Sequence, residues 1–222
     1  MDGTLVDTEE YWIEAEMELV ERDGGSWTYE DGLSLVGNPL TVSAQHLRNR
    51  AGVRGTDEEI VDALVAGVLQ RILTRGVHWR TGAREFIARL RDQDVPCALV
   101  TMSYRVLADA IAAQLPEGSF QAIIAGDDVT HGKPHPEPYL TAAARLGVDI
   151  TQCIGVEDSP TGIASVEASG ARVIAVPYLV HVPAAAGRSR FASLSHIEAE
   201  EISAILSGAT VDRWEQHDSA AH

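Results

Sequence analysis

The chain has 222 residues, with 45% hydrophobic and 23% charged side chains. That length and balance suit one large α/β domain, or a core with a small insert, and exclude a disordered chain. Lys and Arg number 17 against 33 Asp and Glu, a formal charge of −16, which repels a phosphate backbone and argues against nucleic acid as a partner.

The first residues, with Asp2, Asp7 and Glu9, are acidic where a secretory leader would carry Lys or Arg. No apolar run approaches the roughly 18 residues of a membrane span, so a cytoplasmic protein away from membranes is expected. Residues 8–78 read as helical, with no convincing strand. Asp7 is placed to cap a first helix carrying Ile13, Met17 and Val20, which Gly24 and Gly25 end. A second helix is expected to begin at Asn38, with Pro39 at its first position, and to stop at Gly52. Thr56 and Glu59 form a capping box that opens a third, whose apolar face is Ile60, Leu64, Val68 and Ile72. Trp12, Trp27 and Trp79 read as packing residues.

Beyond this block, strands and helices alternate, which predicts parallel βαβ units. A helix through Phe86, Ile87 and Leu90 precedes a strand from Val95 to Val100. A helix with Leu107, Ile111 and Leu115 precedes a strand from Ala122 to Ala125. Pro138 to Leu146 is helical, Cys153 to Val156 a strand, Gly162 to Ala168 helical, Val173 to Val176 a strand, and Ile197 to Leu206 a closing helix. The expected fold is α/β: residues 1–7 and 79–211 form a doubly wound parallel-sheet core, residues 8–78 an inserted helical domain, and the aperiodic residues 212–222 a flexible tail. Cys97 and Cys153 have no paired spacing and read as buried strand residues.

In such sheets ligands bind beyond the carboxyl ends of the strands. Those ends deliver Thr101, Met102 and Ser103, then the loop Gly132-Lys133-Pro134, then Glu157-Asp158-Ser159. Two carboxylates about 4 Å apart repel by roughly 4 kcal/mol at an effective dielectric of about 20, a cost that a divalent cation removes. An all-oxygen ligand set favours Mg²⁺ over zinc. The Lys133 ammonium, the Thr101 hydroxyl and the backbone N–H groups after it, beginning at Met102, match what phosphoryl oxygens need. Pro134 stands where a P-loop requires Ser or Thr. His131 and His135 flank Lys133 at a spacing that suggests zinc, but the sequence offers no evident third ligand.

Asp2-Gly3-Thr4, Thr101, Lys133 within Gly-Lys-Pro-His-Pro-Glu-Pro-Tyr, and Glu157-Asp158-Ser159-Pro160-Thr161-Gly162 occur in that order. In this the chain resembles the haloacid dehalogenase superfamily of phosphotransferases, over residues 1 to about 180, and looks most like its phosphoglycolate phosphatase and β-phosphoglucomutase branch. The resemblance implies a Rossmann-like core with a helical cap between the first and second motifs. It implies Mg²⁺ held by the backbone carbonyl of Asp2 and the side chain of Asp158, with Glu157 close by, and Thr101 and Lys133 holding the phosphoryl group. Asp2 then has the role of general acid and base, Ser103 and His135 are supporting contacts, and Gly37 and Asn38 fall near the substrate-facing loop of the cap.

One departure stands out. The family's first motif is Asp-x-Asp-Gly-Thr, with the first Asp as nucleophile, and Met1 occupies the position x. The nucleophile and the strand carrying it are expected upstream of Met1. The expected activity is hydrolysis of a small phosphorylated metabolite through an aspartyl phosphate. A sugar phosphomutase and a catalytically silent binding protein are the alternatives, and the absence of Arg or Lys from Leu35-Val36-Gly37-Asn38-Pro39-Leu40 favours hydrolysis over the mutase.

Overall fold

The computed structural model describes residues 1–36 and 38–214. They fall into two compact units: a helical unit, Thr8–Val77, and a core unit made of Met1–Asp7 with the chain from His78 on.

The helical unit contains α1 (Glu9–Arg22), α2 (Tyr29–Leu33), α3 (Leu40–Ala51) and α4 (Asp57–Arg75). Ile13, Val20, Leu47, Ile60, Leu64, Val68 and Ile72 are among its most buried side chains, and in α1 and α4 they recur at helical spacing, so those helices turn one face inward. Thr56 and Glu59 cap α4 reciprocally, as the sequence suggests. The other helix starts differ from expectation. Thr8, not Asp7, stands at the N-cap of α1, because Asp7 is drawn into a strand and its carboxylate accepts the Tyr178 hydroxyl. Pro39 is the N-cap of α3, one residue later than expected, because its own backbone is extended, with ψ at 140°. The short α2 was not expected; Thr28 and Asp31 cap it reciprocally.

In the core unit, β1 (Val6–Asp7) and β2 (His78–Trp79) form a small antiparallel pair. Next come α5 (Ala83–Asp92), β3 (Ala98–Val100), α6 (Arg105–Ala112), β4 (Ala122–Ile124), α7 (Glu137–Leu146), β5 (Ile154–Glu157), α8 (Pro160–Ser169), β6 (Arg172–Ala175), β7 (Arg188–Phe191), α9 (Ala199–Leu206) and β8 (Asp212–Arg213). β3 pairs with β4, and β5-β6-β7-β8 form a second ladder, all parallel. β3 begins later than expected, after Pro96, which has no N–H to give a ladder.

Four strands escaped the sequence reading: the short β1 and β2, and β7 and β8. β7 carries Arg188 and Arg190, and the Arg190 guanidinium reaches Asp212 at 2.6 Å. That contact ties β8 to β7, so Asp212 and Arg213 are strand and not tail; residues 215–222 lie outside the described residues. Cys97 and Cys153 are half-buried, each just ahead of a strand instead of inside it.

Among the described residues β3 and β5 share no ladder. Cys97 and Thr101 direct their backbone groups to the β4 side, through Gln121 and Ile124, and Cys153 and Glu157 direct theirs to the β6 side, through Arg172 and Val176. By the alternation of parallel strands, Ala98 and Val100 and likewise Ile154 and Val156 present their backbones the other way. All four line one apolar slot of about 340 Å³, together with Met1 and Leu5. No helix among the described residues is long and apolar enough to cross a membrane.

Candidate functional site

The turn at the start of the chain is wound on the Met1 carbonyl, which accepts the N–H groups of Thr4, Leu5 and Val6 at 3.2, 2.8 and 3.3 Å. Gly3 holds φ at +73°, and a Cβ there would stand 2.2 Å from Asp158 Oδ2. Glycine is therefore required twice, for the backbone conformation and for the close approach. Thr4 Oγ1 donates to Asp158 Oδ1 at 2.6 Å. On the other side Ser103 Oγ donates to Asp2 Oδ2 at 2.6 Å.

Thr101 follows β3 and is buried. Its N–H goes to the Ile124 carbonyl at 2.9 Å, and its Oγ1 accepts the Ser103 N–H at 3.1 Å. Met102 is exposed, and its sulfur accepts the Lys133 N–H at 3.3 Å. The strand end thus sets both a hydroxyl and the loop that brings the lysine.

Lys133 Nζ donates to Glu157 Oε1 at 2.5 Å and to the Val100 carbonyl at 3.2 Å. The Tyr139 hydroxyl donates to the same Glu157 oxygen. Burial pushes the Glu157 carboxyl up, but the Lys133 ammonium and these donors outweigh it and hold the group below the usual carboxylate range. Gly162 makes room, since a Cβ there would stand 2.0 Å from Glu157 Oε2, and Ser159 caps α8 through the Gly162 N–H. The neighbouring Asp158 takes a hydroxyl instead of an ammonium. Burial is its largest influence, outweighs the positive amino terminus and the Thr4 bond, and raises its pKa.

Asp2, Thr101, Lys133, Glu157 and Asp158 are therefore engaged by two sets of hydrogen bonds: Lys133 to Glu157 and Thr4 to Asp158, on carboxylates adjacent in the chain, and Ser103 to both Asp2 and Thr101. The two acidic neighbours are differently engaged: Glu157 is the counter-ion of Lys133, and Asp158 is the half-buried carboxylate beside Asp2-Gly3-Thr4. A half-buried carboxylate that takes a hydroxyl where its neighbour takes an ammonium, in a cradle that a Cβ at Gly3 would fill, fits a hard cation such as Mg²⁺. In the other unit Asn38 is exposed; Gly37 lies outside the described residues.

Sequence reasoning missed Arg80, Tyr139 and Tyr178. Arg80 donates to the Gly3 carbonyl and stacks over the Tyr178 ring at 4.0 Å, and Tyr178 donates to Asp7. Arg80 and Tyr178 belong to no recognised motif, and Tyr139, although it ends the stretch 132–139, reads as an ordinary core aromatic on α7. A recess of about 400 Å³, lined by Thr4, Asp7, His78, Arg80, Tyr178 and Ser193 among others, opens here.

The profile of the haloacid dehalogenase-like hydrolases matches residues 1–176. Protein CbbY of Rhodobacter capsulatus is 33% identical over 189 residues, 80% of this chain and 82% of that protein. Validoxylamine A 7'-phosphate phosphatase of Streptomyces hygroscopicus subsp. limoneus is 32% identical over 176 residues, 77% of this chain and 79% of its own. Hexitol phosphatase B of Escherichia coli is 28% identical over 181 residues, covering 80% and 81%. The crystal structure of CbbY from Rhodobacter sphaeroides in complex with phosphate superimposes with a TM-score of 0.75 at 24% identity, over 88% of this chain and 92% of that one, a likeness of fold.

Proposed function

The chain belongs to the haloacid dehalogenase-like hydrolase family, and from that membership we propose that it is a Mg²⁺-dependent phosphatase of a small polyhydroxylated phosphate ester, working through an aspartyl phosphate. Phosphatase or phosphomutase chemistry of this family is supported by the relatives themselves. The observation that carries the finer reading is the pair of hydrogen bonds from Lys133 to Glu157 and from Thr4 to Asp158. It gathers an ammonium, a hydroxyl and oxygen ligands at one end of the parallel strands.

In this reading Lys133 and the Thr101 hydroxyl hold the transferring phosphoryl group, with the backbone after Thr101. Glu157, itself held by the Tyr139 hydroxyl, fixes the position of the lysine. Asp158 and the backbone carbonyl of Asp2, with Glu157 close by, would hold Mg²⁺, which neutralises charge on the phosphoryl oxygens when bound. Asp2, oriented by Ser103, donates a proton to the leaving oxygen and then takes one from the attacking water. Arg80 steadies the Gly3 peptide, and so the direction of Asp2. The polar recess beside Tyr178 offers hydrogen-bond partners to a hydroxyl-rich leaving group, in keeping with relatives named for hexitol and validoxylamine phosphates.

The route needs a carboxylate nucleophile immediately ahead of Met1. The test compares the 222-residue chain with one extended by an apolar strand ending in Asp, both assayed with Mg²⁺ on hexitol phosphates, fructose 1-phosphate and glucose 1-phosphate. Phosphate release by the extended chain alone is expected. Isomer without free phosphate would make the protein a mutase, and equal turnover by both chains would overturn the assignment of the nucleophile.

A further inference from the structure

We propose that His131, His135 and Glu137 form a second cation site, selective for a late first-row divalent ion of the Zn²⁺ class and separate from the oxygen cluster at Asp158. The two histidines alone lacked a third ligand; the fold supplies it from the first turn of α7. One donor atom from each residue lies within 4.8 Å of the other two. His131 Nδ1 is 2.8 Å and His135 Nδ1 4.0 Å from the same Glu137 Oε2. The two rings are 4.7 Å apart between centroids.

Two imidazoles and one carboxylate are the donor set of open zinc sites, with metal–nitrogen distances of about 2.0–2.1 Å. Tetrahedral angles then place neighbouring donors about 3.3 Å apart, so the observed spread closes by small side-chain rotations. Nitrogen ligands select against Mg²⁺ and Ca²⁺, which prefer oxygen.

The backbone is already arranged. Glu137 Oε1 accepts the Thr130 N–H at 2.8 Å and Oε2 the His131 N–H at 3.0 Å. Beyond the turn, the His135 N–H reaches the Gly132 carbonyl at 3.0 Å, and the His135 carbonyl accepts Ser165 Oγ at 2.6 Å. An ion entering this loop orders little that is not ordered before it arrives. With the ion bound, His131 Nδ1 is a ligand in place of its contact with Glu137 Oε2, and the neutral ring carries its one proton on Nε2. The ion also displaces the 3.2 Å bond from the Glu137 N–H to His135 Nδ1. The histidines stand two residues before and two after Lys133, so the ion clamps the loop that carries that lysine. The proposal does not depend on the phosphatase reading.

The probe is Co²⁺, titrated into the full chain in excess Mg²⁺ and read by its visible d–d absorption, with Zn²⁺ as competitor. One saturable Co²⁺ per chain, displaced by Zn²⁺, is expected. His131→Ala and His135→Ala should each weaken it by at least about tenfold, and both side chains are more than half exposed (62% and 51%), which protects the fold. Asp158→Asn and the double variant His217→Ala, His222→Ala should leave it unchanged. Absence of saturable binding, binding that survives both loop-histidine variants, or binding lost with Asp158→Asn or with the C-terminal pair would overturn the site.

Discussion

Lys133 Nζ lies 2.5 Å from Glu157 Oε1, with 9% of the lysine side chain and 5% of the glutamate exposed. Removing one partner of a buried pair strands the other charge, at a cost of about 3–5 kcal/mol. Lys133→Met is therefore expected to destabilise the protein by that order, and the double variant Lys133→Met, Glu157→Gln by less than the sum of the singles. Urea unfolding of the four chains measures the coupling; additive losses would show that the pair contributes nothing as a pair.

The same pair sets an acid limb. Glu157 is held below its ordinary value of 4.5, so its contribution is complete above that value and is lost as pH falls through the lower folded pKa. Stability followed from pH 7 downward should decline in the parent chain through that window. Glu157→Gln should start lower and flatten there.

Asp158 has the opposite sign. Its pKa is raised above 3.8, with burial the largest cause, so stability is lost as pH rises through the folded pKa and the full penalty is present at neutrality. Asp158→Asn is expected to raise the melting temperature at pH 7 without metal and to abolish the further rise on adding Mg²⁺. A variant that still gains stability from Mg²⁺ would place the ion elsewhere.

In the helical unit Glu16 is 5% exposed, and burial pushes its carboxyl up from 4.5 to about 7, against the hydrogen bond from Trp27 Nε1 at 3.2 Å. Folding then favours the protonated form, and stability falls as pH rises from the unfolded value through about 7. Glu16→Gln keeps an acceptor for Trp27 and should recover about 2–4 kcal/mol at pH 8, with little change at pH 4. Tryptophan fluorescence during urea unfolding at the two pH values reads the difference.

What could be read in advance followed from periodicity and strand-end position. α4 declared itself by Thr56, Glu59 and an apolar stripe, Thr101 and Asp158 by standing just past apolar strands, and Lys133 by its place between Gly132 and Pro134 in a loop at the same end. β7 was hidden because Arg188 and Arg190 break its apolar pattern, and their partners, Glu167 and Asp212, are distant in sequence. Arg80 and Tyr178 were invisible for a similar reason, since the Gly3 carbonyl that Arg80 grips is a backbone atom with no residue signature. Glu137 escaped as a ligand because six residues separate it from His131, off a shared helix face and about 20 Å away along a strand; only the turn around Pro134 folds it back.

The slot between β3 and β5 yields a further expectation. Parallel neighbours in a sheet are about 4.8 Å apart, and Ala98, Val100, Ile154 and Val156 line a common apolar space while belonging to different ladders. An apolar strand fused ahead of Met1, itself a lining residue, should enter between them, parallel to both. About five buried side chains at roughly 2 kcal/mol each, set against about 1.5 kcal/mol of ordering cost per residue and modest hydrogen-bond gains, leave a net of about 2–4 kcal/mol. The extended chain should unfold at higher urea with a larger m-value. Hydrogen exchange at the Ala98, Val100, Ile154 and Val156 amides should slow, because their N–H groups gain ladder partners on the slot side. If those four amides exchange as before, and a protease removes the added strand at the rate of a free tail, the slot does not accept a strand.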